Sequence, residues 1–392
     1  MRILFLSDWF PDPPNNGSKL RIINLLRALA QRHEVTLLSF RDEPQGNLSF
    51  SELQTLCQQI ETVPANPFIP ESWRARRGYF SLTPRSVLAV RSAEMEKRIG
   101  ELLGNGRFDL IIASQLGSAD YSDCFQGVPA LLEEVEVALL LERFNQAATL
   151  WDRARHGLTW AKQKHYLHGL LADFRACTVV SEREKELLAE VAPDFQNVEV
   201  IPNCINLSDY TAIRETPKPG SLIFTGSFRY RANYGAMTWF LQDIYPLIQA
   251  EEPGVQLTIT GDHANLPLPA GKNVTLTGFV DDILPFIASS WISVVPLKVG
   301  GGTRLKILEA MALRTPVVST TKGAEGLDAH HEEHLLIADT PKEYAEAVLR
   351  LLHEPALRQR LAHNAFQFVS KNYDCAATNS RFLELVDRFA GA

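Results

Sequence analysis

Short apolar runs alternate with longer helical patterns along the whole 392-residue chain, and this alternation constrains the fold more than any other feature. The candidate strands of the first half are residues 3–6, 35–40, 110–114, 130–132 and 177–181. Those of the second half are residues 221–226, 256–261, 274–278, 291–296 and 315–320. Nearly continuous apolar strands that alternate with helices are typical of parallel sheets covered on both faces. The pattern therefore predicts an α/β protein with two doubly wound parallel sheets in series.

A linker interrupts this alternation near the middle of the chain. The segment IPNCINLSDYTAIRETPKPGS (201–221) is rich in Pro, Asn, Asp and Ser. We expect an N-terminal domain over residues 1–205, a C-terminal domain over 206–370, and a helical segment over 371–392 that packs back on the N-terminal domain. Ligands of such sheets bind beyond the carboxyl ends of the strands, so two facing sheets would form a cleft between the domains.

Composition and charge exclude several classes of protein. The formal net charge of −7 argues against a nucleic-acid-binding protein, which usually carries a basic excess. The five cysteines include no C-x-x-C pair, which predicts neither a disulfide framework nor a zinc site and favours a reduced, cytosolic setting. The apolar run from Ile3 to Leu6 is too short for a signal-peptide core. No stretch reaches the roughly 18–20 apolar residues of a membrane span, so we expect a cytoplasmic protein.

The segment PLKVGGGTRLKILEAMA (296–312) begins a predicted helix in an unusual way, with three glycines followed by Arg304 and Lys306. Cations are disfavoured there because the N-terminus of a helix carries positive partial charge. A glycine loop that opens a helix directs several N–H groups toward one point, and a phosphate bound there would offset both cations. Glu309, one turn further on, suits a ribose diol because a carboxylate accepts two hydroxyl hydrogen bonds. The alternative is a plain turn with a surface Lys306–Glu309 pair that contributes about 0.2–0.5 kcal/mol.

Five segments together resemble the retaining glycosyltransferases of family GT4, in the subgroup that carries a GGGTRxK variant of the donor motif. The segments are PLKVGGGTRLKILEAMALRTPVVST, VEVIPNCINLSDY, IFTGSFRYRANYGAMTWF, VTLTGFVDDILPFIASS and ILFLSDWFPDPPNNGSKLRIINLLRALAQRHEVTLLS. They cover most of the chain in the order that the family shows. The resemblance implies the GT-B fold, in which two Rossmann-like domains face each other across a cleft and the second holds most of the nucleotide sugar.

The resemblance also implies a set of donor-binding residues. A nucleoside-diphosphate sugar, with UDP or GDP as the expected nucleotide, would contact Gly226, Ser227, Arg231, Asn233, Phe279, Val280, Gly300, Gly301, Gly302, Thr303, Arg304, Lys306 and Glu309. The first domain would add Gly17 and Arg21 from the start of its first helix, with Ser18 as the N-cap. The family's usual first glutamate would fall near Gly301, so we interpret the segment as a variant of the family's pattern.

In this family, retention implies a displacement on one face of the sugar in which the leaving diphosphate takes the acceptor's proton. The protein then acts by positioning the reactants and by stabilising the charge that grows on the leaving group. The expected catalytic residues are Arg304, Lys306 and Gln115. The expected acceptor-binding residues are Ser114, Gln115, Glu134 and Glu136, with surface or helix-cap carboxylates as the alternative for the two glutamates. No D-x-D motif occurs, so we expect neither a metal ion nor any other cofactor.

The acceptor is less well defined by the sequence. A glycan, a lipid-linked carrier and a small molecule all remain open. The segment ESWRARRGYFSLTPR (71–85) interleaves aromatic residues with arginines, which suits peripheral contact with anionic lipid headgroups, although a solvated loop is the alternative. Two other functions fit the same fold. One is a nucleotide-sugar epimerase or hydrolase, and the other is a degenerate transferase that binds a nucleotide or a partner as a subunit.

Overall fold

The structure is a computed structural model that describes residues 1–14, 16–41, 51–145, 149–300 and 304–390. It divides into two compact units, of which the second is the continuous stretch Asn203–Thr378. The first unit combines Met1–Pro202 with the chain from Asn379 onward. The boundaries therefore follow Pro202 and Thr378, where the sequence predicted them after residues 205 and 370.

The first unit contains a seven-stranded parallel sheet in the order β3-β2-β1-β4-β5-β6-β7. Its strands are β1 (Arg2–Ser7), β2 (Glu34–Arg41), β3 (Gln59–Pro64), β4 (Leu110–Ser114), β5 (Ala130–Glu133), β6 (Ala176–Val179) and β7 (Val198–Val200). Its helices are α1 (Gly17–Leu29), α2 (Ser51–Leu56), α3 (Trp73–Arg77), α4 (Arg85–Val90), α5 (Ala93–Asn105), α6 (Gln115–Ala119), α7 (Ala138–Asn145), α8 (Leu150–Leu171) and α9 (Glu182–Val191), with a 3₁₀ turn at Ser122–Cys124. Every residue of β4 is buried, as expected for a central strand covered on both faces.

The second unit contains a six-stranded parallel sheet in the order β10-β9-β8-β11-β12-β13. Its strands are β8 (Lys218–Thr225), β9 (Gln256–Thr260), β10 (Val274–Gly278), β11 (Ser290–Val295), β12 (Val317–Ser319) and β13 (Leu336–Ile337). The remaining helices are α10 (Leu207–Thr211), α11 (Arg231–Trp239), α12 (Tyr245–Glu251), α13 (Leu284–Ala288), α14 (Leu305–Ala312), α15 (Thr321–Ala324), α16 (Pro341–His353), α17 (Pro355–Asn372) and α18 (Cys375–Ala390), with a π-helical turn at Phe240–Ile244 between α11 and α12. The prediction of two doubly wound parallel sheets is confirmed.

Three strands have no counterpart among the predicted ones, and all three lie at the edge of a sheet. Most residues of β3 are partly or fully exposed, so its sequence lacks the continuous apolar run of a central strand. The strands β7 and β13 contain only three and two residues, which is too short for any periodicity to stand out.

The cap of α1 differs from the predicted one. The side chain of Asn16 accepts a hydrogen bond from the N–H of Lys19 at 3.0 Å, so the helix begins at Gly17. Asparagine is among the best N-cap residues because its side-chain oxygen satisfies an amide that the helix leaves unpaired. Ser18, the predicted cap, is therefore the second residue of the helix.

The final helix completes the core of the first unit. Phe382, Leu383 and Val386 are buried in the same hydrophobic cluster as Ile3 and Phe5 of β1. The C-terminal chain therefore returns to the N-terminal domain, as predicted, and it supplies apolar side chains to the first strand of the sheet.

A disulfide joins Cys204 to Cys375, which are 171 residues apart. Backbone hydrogen bonds hold the two segments together, because the N–H of Ile205 donates to the carbonyl of Tyr373 and the N–H of Cys375 donates to the carbonyl of Ile205. The prediction of no disulfide pattern is wrong for this pair, since its partners are too distant in sequence for their spacing to be informative. Along the described chain, no helix combines the length and the apolar character needed to cross a membrane.

Candidate functional site

A tight turn follows the central strand of the second sheet. Gly226 comes directly after β8 and has a φ of +146°, a conformation that residues with a Cβ rarely adopt. A Cβ built on Gly226 would lie 2.6 Å from the Nδ2 atom of Asn233 and 2.9 Å from the Nζ atom of Lys306. The absence of a side chain at this position therefore lets two polar groups approach the carboxyl end of the strand.

Lys306 and Asn233 form a polar pair at this turn. The ammonium group of Lys306 donates to Oδ1 of Asn233 at 2.9 Å, and Nδ2 of Asn233 donates to the carbonyl of Ser227 at 2.8 Å. The same ammonium group lies 4.3 Å from the centre of the Phe224 ring. Burial, together with the neighbouring charge of Arg304, lowers the pKa of Lys306 to about 7. An anion bound at this point would restore the charge on Lys306, because an opposite charge favours the protonated form.

Glu309 lies one turn further along α14. Burial raises the pKa of its carboxyl group to about 7, although Lys306 and a hydrogen bond from the hydroxyl of Tyr210 both oppose this shift. At neutral pH this carboxyl group is therefore partly protonated. It could donate a hydrogen bond to a ligand hydroxyl or accept one from it.

Arg304 is buried as the N-cap residue of α14, which begins two residues later than the sequence predicted, at Leu305 rather than near residue 303. Its guanidinium group donates to the carbonyl of Gly300 and, at 3.2 Å, to that of Lys322. These bonds tie Arg304 to the backbone at Gly300 and Lys322, so part of the donor capacity predicted for a diphosphate is used within the protein. A Cβ on Gly300 would lie 2.3 Å from the hydroxyl oxygen of Tyr230, which shows how closely that ring packs on the loop.

The first unit holds a second polar cluster at the carboxyl ends of β4 and β5. Arg21 is almost fully buried, and its Nε atom donates to Oε1 of Glu133 at 2.6 Å. Its Nη1 atom donates to the carbonyl of Ile201 at 2.8 Å, while Ser114 donates to the other oxygen of Glu133 at 2.9 Å. The Nε and Nη1 atoms of Arg21 are therefore used within the protein, and its contact with a diphosphate stays a prediction.

Glu134 and Gln115 face each other beside this ion pair. Nε2 of Gln115 donates to Oε2 of Glu134 at 2.6 Å and to the hydroxyl of Ser18 at 3.1 Å. Both residues have left-handed backbones, with φ of 72° at Gln115 and 59° at Glu134. Strained backbones of this kind concentrate at functional sites because only a ligand requirement or the surrounding fold maintains them. Burial raises the pKa of Glu134 to about 8, with Arg21 opposing the shift and the charge of Glu133 adding to it.

Asp8 is a further, partly buried carboxylate at this end of the sheet, and it is not among the predicted site residues. Its two oxygens accept hydrogen bonds from the hydroxyl of Ser118 at 2.6 Å and from the N–H of Gly117 at 3.0 Å. Burial raises its pKa to about 6, although both hydrogen bonds oppose the shift. Its position directly after the first strand could have identified it, since ligands of parallel sheets bind at that edge.

Two family models match successive parts of the chain. The model for Glycosyltransferase Family 4 matches residues 15–209, and the model for Glycosyl transferases group 1 matches residues 219–354. Between them the two models cover most of the chain, and the unmatched residues 210–218 between them follow shortly after the boundary at Pro202. The chain belongs to the GT4-like glycosyltransferases.

Known proteins resemble this glycosyltransferase along almost its full length. A relative from the cps region of Klebsiella pneumoniae, described as an uncharacterized 44.6 kDa protein, is 22% identical over 95% of this chain and 96% of its own. Sucrose-phosphate synthase from Thermosynechococcus elongatus has a TM-score of 0.73 and 19% identity, with complete coverage of both chains. HepE from Anabaena, solved in complex with UDP and glucose, has a TM-score of 0.67 and 17% identity over 99% of this chain and 100% of its own. These similarities establish the GT-B fold.

The structure describes four further residues of the predicted donor site, namely Ser227, Arg231, Phe279 and Val280. The hydroxyl of Ser227 accepts from the N–H of Arg229 at 3.2 Å, which orders the loop after β8. Arg231 is exposed at the first position of α11. Phe279 follows β10 and is 66% exposed, and Val280 beside it is half-buried.

The four remaining predicted residues are Glu136, Gly301, Gly302 and Thr303. Glu136 is exposed, three residues after the end of β5. Gly301, Gly302 and Thr303 lie outside the described residues. Across the ranges that the structure describes, no group of three or more His, Cys, Asp or Glu side chains is arranged to hold a metal ion.

Proposed function

We propose that this glycosyltransferase moves a sugar from a nucleoside-diphosphate donor, with UDP or GDP as the nucleotide, to a hydroxyl acceptor with retention of anomeric configuration and without a metal ion. The observation that carries the proposal is the partly buried Lys306 at the first turn of α14, beside the turn at Gly226. A half-buried cation at the positive end of a helix is unfavourable in itself, and an anionic ligand would stabilise it. The complex of HepE with UDP and glucose supports a nucleotide-sugar donor.

The residues of the second unit would act chiefly on the leaving group. Lys306 would neutralise the charge that grows on the diphosphate, and the amide groups at the start of α14 would add their partial charges. Arg304 would act mainly by holding the backbone at Gly300 and Lys322. Glu309 would accept hydrogen bonds from the ribose hydroxyls, while Phe279 is exposed and could contact the base.

The first unit would bind the acceptor through Gln115 and Glu134. At neutral pH Glu134 would retain its proton, because burial raises its pKa to about 8. Its carboxyl group would then both donate to and accept from an acceptor hydroxyl. Ser114 and Arg21 would hold Glu133 in place, and Arg21 would thereby position this pair.

Replacing Lys306 by alanine tests the proposal directly. Purified protein is incubated with a panel of UDP- and GDP-sugars, and nucleotide release is measured with and without a panel of hydroxyl acceptors. We expect Lys306→Ala to lower turnover roughly 100-fold or more, since removal of one preorganised charge-stabilising group typically costs that much. Lys342→Ala is the matched control because Lys342 is an exposed lysine on α16 that pairs with Glu346 at 3.8 Å.

The other outcomes separate the competing functions. Unchanged turnover in Lys306→Ala would refute the assignment of this residue. Nucleotide binding without transfer to any acceptor would favour a degenerate binding subunit, and isomerisation of the donor sugar would favour an epimerase. Product NMR reports the anomeric configuration, and activity in excess EDTA tests independence from metal ions.

We also propose that the protein is cytoplasmic and contacts the inner face of a membrane through its first unit. Trp73, Tyr79, Phe80 and Leu82 are each at least 60% exposed, and Arg74, Arg76 and Arg77 lie among them. Exposed aromatic side chains interleaved with arginines suit the interface of an anionic bilayer. We expect the protein to sediment with anionic but not with neutral vesicles, and Phe80→Ser to reduce that fraction. Equal sedimentation of the wild type and Phe80→Ser would contradict the assignment.

A further inference from the structure

A cavity lies at the amino ends of the strands of the second sheet, opposite to the end where Gly226 lies. Its volume is about 610 Å³, within the range of small-molecule sites. The cavity is bounded by the chain after α10, by the start of β11, by the turn between α14 and β12, and by α17. These boundaries lie at the amino ends of β8, β11 and β12, whereas Gly226 and Lys306 lie at the carboxyl end of the sheet. None of the residues proposed to bind the donor lines this pocket, although the hydroxyl of Tyr210 in its lining bonds to Glu309.

Three arginines give this pocket its chemistry. The guanidinium carbon of Arg358 lies 3.8 Å from the centre of the Trp291 ring, and that of Arg314 lies 3.7 Å from the centre of the Phe366 ring. Arg214 is the third arginine of the lining. Guanidinium groups stacked on aromatic rings keep their edges available for paired hydrogen bonds to phosphate or carboxylate oxygens.

The positive charge of the pocket is not balanced by the protein. Arg358 donates to the carbonyls of Leu351 and Leu352, and Arg214 donates to that of Ile213. None of the three arginines forms an ion pair with a carboxylate among the residues that the structure describes. Burial lowers the pKa of Arg358, with no charged neighbour contributing to the shift. Glu215 is the acidic residue of the lining, so three cations face one carboxylate.

The backbone of Arg314 supplies an independent observation. This residue follows the end of α14 with a φ of 57°, and the N–H of Thr315 donates to the carbonyl of Ala310 at 2.8 Å. Helices often end in this way, but the left-handed position is usually a glycine because other side chains are strained there. An arginine at this position is less stable than a glycine would be, and strained backbone is concentrated at ligand sites.

We propose that this pocket binds a small phosphorylated molecule at a site separate from the donor. Three arginines and one glutamate give the lining a formal charge of +2, which matches a phosphate monoester dianion, and the cavity has room for an organic group attached to it. Trp291 and Phe366 provide apolar walls for that group. The binding energy comes from charge-assisted hydrogen bonds in a setting that excludes part of the solvent.

Calorimetric titration of the full chain tests this proposal with three probes: inorganic phosphate, glucose 6-phosphate and uncharged glucose. We expect saturable binding of a phosphate probe and none of glucose. Stronger binding of glucose 6-phosphate would identify an organic phosphate as the ligand, whereas equal binding would identify free phosphate. Absence of saturable binding by both phosphate probes at millimolar concentration would overturn the proposal.

The variant Arg314→Gly separates a ligand role from a structural one. It should raise the thermal midpoint by relieving the left-handed strain, yet it should weaken phosphate binding about tenfold or more. Arg360→Gln is the matched control, because Arg360 lies on the same helix as Arg358 and is exposed outside the pocket. Unchanged phosphate affinity in both Arg314→Gly and Arg214→Gln would overturn the proposal. Lys306→Ala should lose UDP binding and retain phosphate binding, so failure of the donor site and failure of this pocket are distinguishable.

Discussion

At the scale of single residues, burial moves the pKa of two ionisable site residues toward neutral pH from opposite sides. The pKa of Lys306 falls to about 7 and that of Glu134 rises to about 8, in both cases mainly because each charged form loses contact with water. Perturbed ionisable groups of this kind cluster at functional sites because a ligand can supply the charge or hydrogen bond that the protein withholds. A diphosphate would favour the charged form of Lys306, so donor and proton would bind together.

Glu134 also allows a prediction on stability. Because its pKa is higher in the folded chain than its ordinary value of about 4.5, the folded state holds the proton longer than the unfolded state does. Stability should therefore decrease as pH rises from about 4.5 to about 8, and level off above that range. Glu134→Gln removes this titration, so its thermal midpoint should exceed that of the wild type by a few degrees at pH 8 and by less at pH 5.

Two measurements check this prediction. Scanning calorimetry at the two pH values gives the difference in midpoint, with Glu190→Gln as the control because Glu190 is exposed on α9. A midpoint difference that is the same at both pH values would show that the buried carboxyl does not titrate as described. The same variant should raise the KM for the acceptor and leave that for the donor unchanged if Glu134 binds acceptor hydroxyls.

At the scale of elements, the contact between the turn after β8 and the start of α14 depends on one missing side chain. Gly226→Ala would place a methyl group 2.6 Å from Asn233 and 2.9 Å from Lys306, on a backbone with a φ of +146°. We expect this variant to displace the ammonium group and to weaken UDP binding at least about tenfold, since a hydrogen bond to a charged group contributes about 1.5–3 kcal/mol. Titration calorimetry with UDP measures the loss.

The matched control lies in the next helix. Gly235 is inside α11, and a Cβ on it would meet no atom within 4 Å. Gly235→Ala should therefore leave UDP binding intact and stabilise the protein by about 0.5–1 kcal/mol, because glycine is a poor helix former. Equal UDP affinities in Gly226→Ala and the wild type would show that Gly226 is not part of the donor site.

The same elements show how far the sequence was informative. Leu308 and Ala312 are buried on one face of α14, and the helix that the sequence predicted after the three glycines was recognisable from its local pattern. The ion pair of Arg21 was not predictable in this way, because its partner Glu133 is 112 residues away and no spacing rule connects them. A cation near a helix N-terminus looks the same in sequence whether it faces solvent or a buried carboxylate. Local periodicity thus identified the elements, while pairings across the sheet required the fold.

At the scale of the whole molecule, the disulfide encloses almost the entire second unit, since Cys204 and Cys375 lie just inside its two boundaries. Cys57, Cys124 and Cys177 are free. Unfolded protein without reductant should therefore contain three titratable thiols, and reduced protein all five.

Thiol counting with a chromogenic disulfide reagent checks this prediction. The double variant Cys204→Ser/Cys375→Ser is the control, because its count should not change on reduction. Five thiols in wild-type protein unfolded without reductant would show that the pair is reduced in the purified material. That result would agree with the reduced, cytosolic setting that the cysteine pattern suggested.

The discontinuity of the first unit has a consequence for synthesis on the ribosome. Phe382 and Val386 share a buried cluster with Ile3 and Phe5, so the core around β1 is complete only after residues 382–386 have been made. The second unit is one continuous stretch and has every residue of its own core as soon as Thr378 is made. Domains generally fold as units during synthesis. The unit translated later should therefore be the first to finish folding, and the N-terminal half should be the part of the nascent chain that needs protection longest.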